Sequence, residues 1–142
     1  MQSFGDETRK SPDGGVAPHL TVVGGLDAIT FYTQAFGAKE IYRQMAEDGK
    51  RVMYARLEIN GGSVMLHDDF PEMRKPGEEL RSPAGVILHL QVDDADAWFE
   101  RAVKAGATAS YPLQDMFWGD RYGHVTDPYG HTWSIASPLK RA

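Results

Sequence analysis

Apolar and polar positions alternate along this chain in a pattern that runs twice. A glycine-bounded run, APHLTVV within residues 16–23, has the composition of a strand. Leu26, Ile29, Tyr32 and Phe36 then recur at helical spacing, and Gly37 is the residue type that ends helices in a left-handed conformation. Three further strands are expected at 38–45, 51–59 and 62–68, joined by the turn signals Glu47-Asp48-Gly49 and Asn60-Gly61. After the charged, proline-bearing stretch FPEMRKPGEELRSP at 70–83, the pattern restarts. A strand at 85–92 leads to a helix at 95–105 that Gly106 ends, then to a strand at 108–113. The last two strands, 121–126 and 131–137, flank the turn Asp127-Pro128-Tyr129-Gly130, in which proline fixes φ and glycine accepts φ > 0.

Sliding the chain on itself by 69 positions sets Val23 on Val92, Asp27 on Asp96, Ala28 on Ala97 and Gly37 on Gly106. The same shift sets Ala38 on Ala107, Tyr42 on Tyr111 and Gly61 on Gly130. These identities fall at strand ends, helix ends and turns, which is what an internal repeat produces. The expected fold is α+β: two tandem βαβββ modules, at 16–69 and 84–138, forming a cup-shaped mixed sheet because neither module has enough core alone. Residues 1–15 are a polar, aperiodic lead, 70–83 a linker and 139–142 a tail.

Composition narrows the partners. A net charge of −5 and a pI near 5.5 disfavour nucleic acid and anionic membranes. With no cysteine there are no disulfides, thiolate ligands or cysteine nucleophiles. No apolar run approaches the roughly 18 residues of a membrane span, and 1–15 lacks the apolar core of a secretion signal, so a cytoplasmic location is expected.

The two modules, with FYTQAFGAKE closing the first helix and WGDRYGHVTDPYGHTWSIAS closing the chain, resemble the vicinal oxygen chelate superfamily of glyoxalases, bleomycin-resistance proteins and extradiol dioxygenases. Within it the chain is most similar to the PhnB-like branch, and the resemblance spans about 16–138. It implies a small-molecule ligand inside the cup, a homodimer and, in catalytic members, one divalent metal (Zn, Ni, Mn or Fe) held by His, Gln or Glu on the first and last strands of each module. Carried onto this chain, those ligand positions are Pro18, Met65, Ile87 and Ser134, which cannot hold a metal; a slip of one residue in the alignment would move the answer to His19 or Leu66.

Strand parity places Leu20, Val22, Met65, His67, Ile87, His89, Gln91 and Ser134 on the cup face, and His19 on the other. His67 and His89 are candidates for an acid/base pair, a displaced metal site, or a polar floor for a ligand. The loop before the last hairpin, Met116-Phe117-Trp118-Gly119-Asp120, is too aromatic for a plain connector. Phe117 and Trp118 are placed to stack on a planar ligand or to close a dimer seam. Arg121 offers a guanidinium to a carboxylate or phosphate, or an ion pair to Asp120 or Asp115. Two functions follow: a metal-free binder of a planar or apolar small molecule, or a glyoxalase-type lyase or isomerase using His67 and His89, with or without a displaced metal.

Overall fold

A computed structural model describes residues 10–81 and 84–140. Most of the expected lead, 1–9, and the end of the expected tail, 141–142, lie outside the described residues. The chain divides into two compact units: residues up to Thr33 with Gly37–Leu80, and Gln34–Phe36 with the chain from Arg81 onward. In the first, strand β1 (His19–Val22) leads into helix α1 (Gly25–Phe36), followed by β2 (Lys39–Met45), β3 (Val52–Ile59) and β4 (Gly62–Asp68). The second contains β5 (Leu88–Gln91), α2 (Ala95–Ala105), β6 (Thr108–Asp115), β7 (Asp120–Thr126) and β8 (Thr132–Pro138). Each sheet follows one plan. The order is β1-β4-β3-β2 in the first and β5-β8-β7-β6 in the second, the opening strand running parallel to the last and the other pairs antiparallel.

The first strand begins only at His19, after Pro18, which has no N–H to donate; the Pro18 carbonyl still accepts from the Met65 N–H at 2.9 Å. Asn60 and Gly61 turn the β3–β4 hairpin with φ of 50° and 82°, the left-handed pair that a two-residue hairpin requires. β6 extends past the expected end, to Asp115, by way of register shifts around Pro112. That bulge presses on β7: a Cβ at Gly123 would stand 2.8 Å from the Tyr111 carbonyl.

In each sheet one face is apolar and one polar. Leu20, Val22, Ala55, Leu57, Val64 and Leu66 fill the apolar face of the first sheet, and Leu90, Val125, Trp133 and Ile135 that of the second, where α2 packs across β6, β7 and β8. The second unit's core also takes in the last turn of α1, with the Phe36 ring 4.7 Å from Trp133. Two buried carboxylates fasten the strand ends. Asp68 accepts from the N–H groups of Gly24 (2.9 Å), Gly25 (3.0 Å) and Val52 (2.7 Å), and Asp127 accepts from Tyr129 N, His131 N and Trp133 Nε1.

Candidate functional site

Strand register lays out the polar faces as rows. In the first unit one row runs His19, Met65, Arg56, Tyr42 across β1, β4, β3 and β2, and two residues along from it lie the pairs Thr21–His67 on β1 and β4 and Tyr54–Gln44 on β3 and β2. In the second unit the matching rows are His89, Ser134, His124, Tyr111 and Gln91, Ala136, Tyr122, Gln114. The expected relation of 69 positions therefore holds for Met65 and Ser134 but not for the opening strands, where His19 matches His89. The cause is that α1 has 12 residues and α2 has 11. Counted back through helices of unequal length, the shift slips by one residue, and a one-residue slip exchanges the faces of a strand.

Two expectations change accordingly. Leu20 and Val22 are core residues, and His19, expected on the other face, lies on the polar face with its ring 4.7 Å from His67. The residue beside Met65 in the first strand is His19 rather than Pro18, and the one beside Ser134 is His89 rather than Ile87. Ile87 lies outside β5 and is exposed. His124 also belongs to the polar face, opposite Ser134 in the β7–β8 register.

On the first unit's polar face His67 donates its Nδ1–H to the carbonyl of Asp68 at 2.7 Å, which turns Nε2 toward Thr21 Oγ1 at 3.4 Å. The His19 pKa is held below the ordinary imidazole value, first by burial and then by the neighbouring His67. Tyr54 Oη donates to the backbone carbonyl of Lys10, whose ammonium stands over the Tyr42 ring at 5.0 Å. At Arg56, a cation is buried in the same face.

The second unit's polar face is built differently. Asp120, at the start of β7, receives the Trp118 indole N–H (3.2 Å) and the Gln91 amide N–H (3.4 Å). With its NH2 aimed at a carboxylate, Gln91 turns Oε1 to His89 Nε2 at 2.8 Å, so Nε2 carries the proton. In the neutral ring Nδ1 then accepts from the hydroxyl of Ser134, at 2.7 Å. Ser134 is 2% exposed, so this bond satisfies a buried hydroxyl. Around the relay the rings are continuous. Phe117 meets Trp118 at 5.1 Å, Trp118 meets Tyr122 edge-on at 5.3 Å, and Tyr122 reaches both His89 (6.2 Å, stacked) and His124 (5.1 Å). Tyr111 follows at 5.2 Å from His124. Burial lowers the pKa of His124, which keeps that ring neutral at neutral pH.

Of the residues expected at the site, the structure brings His89, Gln91, Ser134 and Trp118 together on this face. Met65 and His67 lie on the polar face of the first unit. Phe117 stands at the tip of the β6–β7 turn, 96% exposed. Arg121 points the other way: its register partners are Asp115 and Ser137, and its guanidinium is taken by Asp96 (2.9 Å) and Asp115 (3.0 Å). A cleft of about 400 Å3 opens there, lined by Asp93, Asp94, Asp96, Asp115, Arg121 and Lys140 among others. Its lining has no aromatic ring, and its four carboxylates outnumber the two cations, Arg121 and Lys140.

A divalent metal does not fit these donors. Among the described residues no three His, Asp or Glu side chains are grouped to hold one. The opening strand's histidine has Met65 beside it in one unit and Ser134 in the other, where a carboxylate would be needed. Both ring nitrogens of His89 are already engaged within the protein.

Two helices and two four-stranded mixed sheets, ordered βαβββ twice, are the architecture of the vicinal oxygen chelate fold. Residues 20–135 match the Glyoxalase/Bleomycin resistance protein/Dioxygenase superfamily, and the chain belongs to that family. It is 44% identical to an uncharacterized protein of Mycobacterium tuberculosis strain H37Rv over 144 residues, covering 98% of this chain and 83% of that one. Among solved structures it resembles the Arabidopsis thaliana gene product At5g48480 (30% identity, TM-score 0.68, 89% of this chain and 98% of that one). It also resembles TioX from Micromonospora sp. ML1 (27% identity, TM-score 0.67, 91% and 99%). No helix among the described residues is long and apolar enough to cross a membrane.

Proposed function

We propose that this protein binds a small planar molecule on the polar face of its second unit, without a metal. The observation that carries the reading is the engagement of His89. Its ring nitrogens are held by Ser134 and Gln91, which leaves the flat imidazole and the neighbouring Tyr122 and Trp118 rings as the surface on offer. Rings of this size stack favourably on planar ligands, and tyrosine and tryptophan carry polar edges that orient what they hold. Met65 and His67 lie on the matching face of the first unit.

The test combines metal analysis of the purified protein with ligand titration followed by tryptophan fluorescence. The expected result is no stoichiometric metal, and quenching by planar compounds that falls sharply in Trp118→Phe. Stoichiometric Zn, Ni, Mn or Fe that is lost from the His67→Ala, His89→Ala double variant would overturn the reading. So would turnover of a bound compound that ceases in His89→Ala.

A further inference from the structure

Charge on the second unit's polar face is one-sided. The register places His89, Gln91, Tyr111, Gln114, Tyr122, His124 and Ser134 on it, with Trp118 folded over one end. Asp120 is the group there that carries full charge. Its two carboxylate oxygens receive only neutral donors, from Gln91 and Trp118, and among the described residues no cation is paired with it. Arg121, the next residue, is spent on Asp96 and Asp115 across the sheet. The β7 strand alternation thus delivers a carboxylate to one face and removes the nearest guanidinium to the other. His124 adds no positive charge at neutral pH, because burial lowers its pKa.

The rings act in the same sense. The π faces of Trp118 and Tyr122 are electron-rich and attract positive charge, and tryptophan does so most strongly. Trp118 is fixed by its N–H bond to the carboxylate, so ring and charge are presented together.

Resting on the reading of this face as a planar-ligand site, we propose that its ligand class is the planar cation: an aromatic ring system stacked against Trp118 and Tyr122, with a ring-borne or attached ammonium group directed at Asp120. Planar anions are disfavoured by the same carboxylate.

The test uses three tricyclic probes of like shape with the full chain in mildly alkaline buffer: proflavine (cation), acridine (neutral there) and anthracene-9-carboxylate (anion). Proflavine is expected to bind about tenfold tighter than acridine, the product of a partly exposed ion pair and a cation–π contact. Anthracene-9-carboxylate is expected to bind more weakly than either. In Asp120→Asn the advantage of proflavine over acridine should shrink to about twofold. Asp120→Glu should restore most of it, and Glu78→Gln, an exposed charge elsewhere, should leave it intact, which separates a local carboxylate from the net charge of −5. Circular dichroism of each variant confirms folding, and the glutamate variant reports on charge even where the asparagine variant is destabilised. If wild-type protein binds proflavine and acridine equally, or if Asp120→Asn keeps the preference, the ligand class is wrong while the planar site stands. If none of the three binds, both fall.

Discussion

Replacing Asp68 by asparagine should cost this protein about 3 kcal/mol. The carboxylate is 5% exposed and closes three backbone donors: Gly24 and Gly25 at the start of α1 on one oxygen, Val52 at the start of β3 on the other. Hydrogen bonds to a charged acceptor are worth about 1.5–3 kcal/mol each, but desolvating the carboxylate offsets part of that sum. An asparagine retains the oxygen facing Gly24 and Gly25 and turns an NH2 toward the Val52 N–H. One buried donor is then orphaned, at about 1–3 kcal/mol, and two donors are set against each other. At about 2–4 °C per kcal/mol for a chain of this size, the melting temperature should fall by about 10 °C. Urea denaturation should show a lower midpoint at unchanged slope. His67 reports locally, since its Nδ1–H bonds the Asp68 carbonyl; its imidazole resonances should broaden or shift in the variant. A loss below about 1 kcal/mol would refute the reasoning, because surface substitutions alone reach about half of that.

Gly25→Ala attacks the same junction from the other side. Its Cβ would lie 2.5 Å from Asp68 Oδ2 and 2.8 Å from Val52 Cβ, so a loss of about 2 kcal/mol is expected in the same melt. For His19, whose pKa is lowered in the fold, protonation opposes folding. Its contribution is therefore complete above the unfolded value of about 6.5 and is lost as pH falls through the lower folded value. An NMR titration should place His19 below the ordinary imidazole range and move it up in His67→Gln; a normal value in the wild type would refute this. Arg121→Ala should leave planar-ligand affinity within about twofold, since exposed ion pairs contribute little and this one lies on the opposite face. A tenfold loss would place Arg121 at the site after all.

Turns and periods make most of the fold legible in the amino-acid sequence. Asn60-Gly61 could only be a tight hairpin, Gly37 and Gly106 could only end helices, and matching such marks across the chain yields both modules. What fails is the count through a helix. A repeat compared at a fixed shift assumes equal element lengths, and the single residue by which α1 exceeds α2 is invisible in a helical pattern, where an extra residue only rotates the next by about 100°. In the strand that precedes the helix, that residue inverts every side chain, which is why parity assigns His19 to the wrong face. The role of Asp68 is hidden for a different reason. A buried carboxylate at a strand end has the same sequence signature as an exposed one, and only the convergence of Gly24, Gly25 and Val52 distinguishes them. The Gln91, His89, Ser134 relay needs Asp120 to orient the amide, a dependence that no spacing encodes.

The register rows also explain why one frame repeated twice need not give two equivalent sites. Tyr42 and Tyr111 hold matching nodes, as do Tyr54 and Tyr122, and His19 and His89. The difference lies in the charges set among them. Where the first unit has Arg56 the second has His124, a ring kept neutral by burial, and where the first has the Lys10 ammonium over Tyr42 the second has the carboxylate of Asp120 beside Trp118. Histidine and tyrosine rings thus recur on both faces, whereas the fixed charges named among them have opposite sign. A cationic ligand, as proposed, would be directed to the second face by repulsion from the first as well as by attraction to Asp120, and selectivity of that kind needs no difference in shape. The two contributions separate experimentally: Asp120→Asn removes the attraction, and Lys10→Gln weakens the repulsion while the second unit keeps its sequence.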